Sequence, residues 1–338
     1  MAEFRYPVGK IPVDLLSRLI IKAPHHGTRI ILGPGVGLDC AVIDNGSSCL
    51  VLKSDPITFA SDEIGWYLVQ VNANDLATTG ALPRWLLLTA LFPDRSTTTS
   101  KIESIFNQVY LACDELNIAV IGGHTEITSG ITHPILVGTL IGEVGKNRLI
   151  TPKGAQIGDR ILLTKGVPIE ATTLLAREFT SRLDGILTPA EISTAQGYLH
   201  QPGISVVRDA QLACQFGRVT AMHDPTEGGV ITALWELAEA CNHTIILDPT
   251  QIHIPELCRR ICQVFKIDPL RSLASGALLL TVTPGDAINI CQGLINNGIF
   301  CSEIGRVEAG PANLFLYKSD DRFDYSRPTR DEIAKLFE

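Results

Sequence analysis

The sequence predicts a mixed α/β chain organised as two domains. Three observations lead there. Short apolar runs alternate with stretches of helical periodicity along the whole length, which is the pattern of an α/β fold. The string TPKGAQIGDRILLTKG at 151–166 has the turn residues of a junction followed by a new buried strand. The length of 338 residues is enough for two hydrophobic cores. We therefore expect domains at 1–151 and 152–338.

Taken in order, 29–33, 40–43 and 49–53 are short apolar runs separated by PGVG and DNGSS, as in strands joined by turns. Ser61 is placed as the N-cap of a helix starting at Asp62, whose residues Ile64, Leu68, Val71 and Leu76 fall near one face. Gly80 and Pro83 end it. The spacing then predicts a strand over 85–92, a helix over 99–116, a strand over 118–121 running into GGHTE, and a strand over 135–144. The second half repeats the grammar: a strand at 160–164, helices at 170–178, 190–197 and 205–216, and a strand at 218–222. A helix from about Gly228 to Cys241 follows, then SGALLLTV, a helix at 284–297 and a final strand near 314–318.

Five acidic motifs punctuate this pattern: GVGLDCAV at 35–42, KSDPIT at 53–58, NANDLATTGALP at 72–83, GGHTE at 122–126 and HDPTEGG at 223–229. Carboxylates among small residues suit a hard divalent cation, which takes oxygen ligands and leaves room for phosphate oxygens. The ligand that fits both is Mg-ATP. Asp75 gives the strongest physical reason, because it lies beside the apolar stripe of its helix and a charge there requires a cation or several donors. Asn72 stands three residues earlier, where it can share that face or be an ordinary polar helix residue. HDPTEGG opens a helix, so Thr226, Glu227, Gly228 and Gly229 would offer free N–H groups to an anion. An N-cap role for Asp224 or Thr226 competes with that reading. Lys53 and Lys165 follow strands, where an ammonium could meet phosphate or simply face water.

Composition bounds the partners. Hydrophobic residues at 45% against 19% charged fit a globular chain. A net charge of −8 without a Lys/Arg cluster argues against nucleic acid. Nine cysteines without a CxxC read as reduced thiols, with Cys258 and Cys262 in a core rather than on a metal. MAEFRYPVGK lacks an apolar signal core and no apolar run reaches membrane length, so we expect a cytoplasmic protein.

In this order the motifs resemble the AIR synthase-like superfamily, which includes aminoimidazole ribonucleotide synthase, selenophosphate synthetase, thiamine-monophosphate kinase and HypE. The resemblance is closest to the HypE-like AIR synthase-related proteins, and runs from PVGKIPVDLLSRLI through NDLATTGALPRW and HDPTEGGV to SGALLLTV and IGRV. It implies an AIR synthase-like fold with an N-terminal domain pairing its sheet in a homodimer, a C-terminal α/β sandwich, and ATP held near the dimer interface. Together with the residue-level readings above, it leads us to expect a metal set of Asp39, Asp55, Asp75, Glu126 and Asp224, with Lys53, Asn72, His124, Thr226, Gly228 and Gly229 around the nucleotide. Asp39 competes with a turn role and Asp55 with a cap. His124 stands where many relatives have an acid, although selenophosphate synthetases also carry GGHT; Glu126 then supplies the carboxylate or is a solvated turn residue.

Two departures narrow the chemistry. HypE dehydrates a carbamoyl group on a cysteine in a terminal PRIC-like sequence, whereas this sequence ends KLFE and its last cysteine is Cys301. Selenophosphate synthetases use a cysteine or selenocysteine ahead of the first Asp motif, and here none precedes Cys40. Three readings stay open: an ATP-dependent enzyme activating an amide, carboxamide or phosphate-bearing small molecule, a small-molecule kinase like thiamine-monophosphate kinase, and a nucleotide-binding maturation or regulatory partner of a protein client.

Overall fold

The computed structural model describes residues 11–24, 26–35, 38–57, 62–318 and 321–337. The first half holds α1 (Val13–Ile20), β1 (Ile30–Leu32), β2 (Ala41–Asn45), β3 (Ser48–Ile57), α2 (Ile64–Thr78), β4 (Leu82–Pro93), α3 (Thr99–Glu115), β5 (Ala119–Thr128) and β6 (Ile135–Gly145). The second holds β7 (Arg160–Thr164), α4 (Ile169–Glu178), α5 (Thr180–Leu183), α6 (Pro189–Gln196), α7 (Val207–Phe216), β8 (Val219–His223), α8 (Gly229–Cys241) and β9 (Thr244–Leu247). It continues with α9 (Glu256–Phe265), β10 (Leu279–Val282), α10 (Ala287–Asn296), β11 (Cys301–Glu308), β12 (Asn313–Lys318) and β13 (Asp321–Asp324). Each half forms its own sheet, in the orders β1-β2-β3-β6-β4-β5 and β13-β12-β9-β11-β7-β10-β8. The chain is thus a mixed α/β protein of two domains.

Several expectations change. The strand expected at 49–53 runs on to Ile57 and takes in Asp55 and Pro56. Beyond Leu52 the β2 partner has ended and only β6 pairs with β3, so the proline sits in a strand with one open edge. α2 begins at Ile64 after Glu63 in a left-handed conformation, two residues later than expected, and Ser61 lies outside the described residues. GGHTE lies inside β5 rather than in a turn: β5 is parallel to β4, with a bulge at Ile121. A Cβ on Gly123 would come within 1.8 Å of the Leu88 carbonyl oxygen, so no larger residue fits there. The strand near 314–318 is followed by β13, which pairs back onto it.

The helix α2 governs the site. Its buried residues include Ile64, Tyr67, Leu68, Val69, Ala73, Leu76 and Ala77, but also Gln70, Asn72, Asn74 and Asp75. The expected apolar stripe is absent because α2 has no solvent side. β3 and β6 cover one flank, and α7 and β8 of the second domain cover another. One core runs without interruption from Val51, Leu68 and Leu140 into Val207, Ala210 and Ile290. Asn74 latches the halves: its Nδ2 donates to the Ile204 carbonyl at 2.8 Å and its Oδ1 accepts from the Val206 N–H at 2.8 Å. A second latch joins Arg177 to Asp62 and Glu63 at 2.6 and 2.9 Å.

Candidate functional site

Alternate residues of a strand share a face, so Lys53 and Asp55 point the same way as Cys49, Val51 and Ile57, toward α2. A lysine on a core-facing position must have partners. Lys53 Nζ lies 2.9 Å from Asp75 Oδ2, 3.0 Å from Asp55 Oδ2 and 3.9 Å from Asp39 Oδ1, with 10% of its side chain exposed. Burial alone would lower its pKa. The carboxylates of Asp75, Asp39 and Asp55 outweigh that and hold the ammonium charged well above its usual range.

Asn72 works on the backbone beneath this cluster. Its Oδ1 accepts from the Asp55 N–H at 3.0 Å and its Nδ2 donates to the Leu68 carbonyl at 2.8 Å. The carbonyl end of the amide therefore ties β3 to α2, while its NH2 end is held within α2 by Leu68. Asp55 is placed by that bond, while Asp75 is placed by the helix.

Asp224 arrives from the other domain, one residue past β8, and is 2% exposed. Burial pushes its carboxyl up to about 6 against the pull of His223. Asp75 is raised by burial and then by Asp224, with Lys53 acting the other way, so the two buried carboxylates are close enough to repel. Asp224 Oδ2 is buried with no hydrogen-bond partner. His223 Nε2 meets Glu236 Oε2 at 2.8 Å. Burial would lower the imidazole, but that bond and the nearby acids raise it to about 9, so it is cationic at neutral pH. A cavity of about 20 Å³, room for roughly one water, lies between Asp39, Cys40, Thr78, Met222 and His223.

Asp39, Asp55, Asp75 and Asp224 thus converge where the two domains meet. His124 and Glu126 do not join them. They pair with each other at 3.2 Å, each more than half exposed, on a strand separated from β3 by β6 and β4. Three strand spacings amount to about 14 Å.

The HDPTEGG loop departs from expectation. α8 starts at Gly229, and the Gly228 N–H is not free: it donates to Asp331 Oδ2 at 2.6 Å. The Gly229 N–H donates to the Thr226 carbonyl at 3.0 Å. Both glycines have positive φ, and a Cβ on Gly229 would come within 2.5 Å of the Leu270 carbonyl oxygen. The pair of glycines is therefore required by the turn itself. Lys165 is also spoken for, buried against Asp209 at 3.2 Å and the Ser205 carbonyl. Cys258 and Cys262 are buried free thiols, and Cys262 packs in an apolar cluster with Ile261 and Phe265.

The donor chemistry suits a divalent cation, since all four converging acids offer oxygen and one buried oxygen lacks a partner. Yet no group of three or more His, Cys, Asp or Glu side chains among the described residues is arranged to hold a metal ion. The point where three carboxylates meet is filled by the Lys53 ammonium. His223, Glu236, Asn74 and Asp331 complete or brace the site and were not singled out by the sequence. Only His223 had a visible signal, its place beside Asp224.

The family model described as AIR synthase related protein, N-terminal domain, matches residues 37–144, and that described as AIR synthase related protein, C-terminal domain, matches 156–316. A putative hydrogenase expression/formation protein of Methanocaldococcus jannaschii is 28% identical over 292 residues, covering 82% of this chain and 82% of its own length. The hydrogenase maturation protein HypE in complex with ATP has a similar structure, with a TM-score of 0.70, 19% identity, and coverage of 93% of this chain and 90% of that one. AaThiL complexed with AMPPCP and TMP gives a TM-score of 0.70 at 20% identity, over 93% and 96%. At such identities the structural likeness establishes the fold. Among the described residues no helix is long and apolar enough to cross a membrane.

Proposed function

The chain belongs to the AIR synthase related family, and from that premise we propose that it binds Mg-ATP at the interdomain acid cluster and uses it to activate a small molecule by phosphoryl transfer. The observation that carries this reading is the convergence of Asp39, Asp55, Asp75 and Asp224, with an unpartnered buried oxygen on Asp224. Four carboxylates face one lysine and a histidine that already has Glu236, so the cluster keeps surplus negative charge. A divalent ion would neutralise it.

In this reading Asp39, Asp55, Asp75 and Asp224 would hold the cation, which would supply charge neutralisation for a phosphoryl group in transfer. Asn72 positions Asp55 through its backbone, and His223 brings a positive charge beside Asp224. Thr226, Gly228 and Gly229 shape the turn that presents Asp224, and the Gly228 amide reaches a phosphate only if Asp331 moves away from it. The division near residue 152 puts Asp224 in one domain and the other three acids in the other, so domain apposition builds the site.

A second copy of the chain is the partner we assign to β5. That edge strand is exposed along nearly its full length and displays Val120, Ile121 and Ile127, an edge that proteins normally cover. His124 and Glu126 lie on it and reach a nucleotide only in such a pair. The relative described as a hydrogenase expression/formation protein supports the alternative of a maturation partner that turns ATP over only with a protein client.

Turnover separates these readings. Phosphate release from ATP stimulated by an amide, carboxamide or phosphorylated metabolite supports the enzyme, and a stable phosphorylated product marks a kinase. ATP binding with no metabolite-stimulated turnover across such a panel sinks the enzyme reading in favour of the client-dependent one.

A further inference from the structure

Lys53 does not behave as a surface phosphate ligand. It stands on the core face of β3, in the alternation that places Cys49 and Val51 among buried residues, and its stem runs inward to an ammonium set between Asp39, Asp55 and Asp75. An aliphatic side chain would ordinarily occupy that position. The charge is matched from three separate segments: the loop before β2, β3 itself and the middle of α2. A single surface salt bridge would need one partner. Three converging acids on one buried cation describe a cation site whose occupant is covalently attached.

We propose that Lys53 is a resident cation that takes the inner position of the acid cluster, doing there the charge-neutralising work of a divalent ion, so that nucleotide arrives with one metal fewer than the carboxylates alone would bind. This rests on the reading of the cluster as a cation and phosphate site. Each carboxylate keeps a second oxygen, and Asp224 Oδ2 has no partner, so one position toward the cleft stays open to a metal shared with phosphate. The ammonium also fixes the acids in place before any ligand binds, because the repulsion among them is already offset.

The test uses the nucleotide-free protein. Lys53→Ala removes the cation and leaves Asp39, Asp55 and Asp75 facing one another, while Lys53→Met keeps the volume of the stem. Thermal melting in EDTA and in millimolar MnCl2, with Mn2+ binding read by electron paramagnetic resonance, reports whether a free ion takes the vacated position. The expected result is a variant that melts lower in EDTA and recovers by about 4 °C or more in Mn2+, with Mn2+ affinity at least tenfold above wild type. The wild-type melting point should hardly respond. Equal Mn2+ affinity in variant and wild type, or a wild-type shift as large as the variant's, overturns the proposal. Should Lys53→Ala not fold in EDTA, refolding yield of Lys53→Met with and without Mn2+ reads the same quantity, and equal yields overturn it. Mn2+ rescue without any ATP binding would leave Lys53 in this role and remove the nucleotide reading. ATP binding without rescue would do the reverse.

Discussion

Replacing Asn74 by alanine should loosen the join between the two domains. Asn74 is fully buried on α2, and its amide makes two 2.8 Å hydrogen bonds to the backbone at Ile204 and Val206. The substitution strands a buried carbonyl and a buried N–H. Each stranded group costs about 1–3 kcal/mol, so the pair should cost roughly 3 kcal/mol, with a small addition for the lost volume. In urea unfolding this is a lowered midpoint, and in thermal melting a fall of roughly 4 °C, at about 1.4 °C per kcal/mol for a chain of this length. Asn74→Asp is the control. It keeps an acceptor for the Val206 N–H but sets a carboxylate against the Ile204 carbonyl, so it should destabilise at least as much. A loss below about 1 kcal/mol in both variants would refute the idea that this amide holds the domains together. Because Asp75 is the next residue, a change in ATP affinity is expected alongside.

Three further outcomes follow. Burial pushes Glu170 up to about 7 despite Ser275, with Asp331 and Asp224 adding to the rise. The folded state thus holds this proton more tightly than the unfolded chain, so the stabilisation is full below about pH 4.5 and is lost as pH rises through about 7, by about 3 kcal/mol at most. Glu170→Gln should flatten that part of the stability profile, and an unchanged slope in urea unfolding between pH 5 and 8 would count against it. Ile121→Glu with Ile127→Glu should convert a dimer to monomer in sedimentation without lowering the melting point of the monomer, since both side chains are more than half exposed. Asp331→Ala should free the Gly228 N–H and raise affinity for ATP, and a drop in affinity instead would show that Asp331 supports the loop rather than competing with phosphate.

Much of the architecture was legible because strands and helices here keep their periods. β7 falls at 160–164 as its run of Ile, Leu and Leu predicts, and α3 lies within one residue of its expected end. The need of Asp75 for a positive partner was also legible, although α2 lacks the apolar stripe from which it was read. An apolar stripe presumes one solvent side, and α2 has none once the second domain packs on it, a fact no local window contains. The identity of that cation was within reach: positions 49, 51, 53, 55 and 57 share a face, and the parity that buries Cys49 and Val51 also turns Lys53 inward. The occupation of the Gly228 N–H by a residue 103 positions away was not legible, because nothing near HDPTEGG signals Asp331. Placing GGHTE after a short strand missed that the strand continues through both glycines at an open sheet edge.

If carboxylates from both domains form a nucleotide site, calorimetric titration with ATP in Mg2+ and in EDTA will reveal it. The expected result is binding in Mg2+ that weakens at least tenfold in EDTA and again, in Mg2+, on Asp75→Asn in a variant that stays folded. Binding that is indifferent to both the metal and Asp75, or no binding in either buffer, would contradict it.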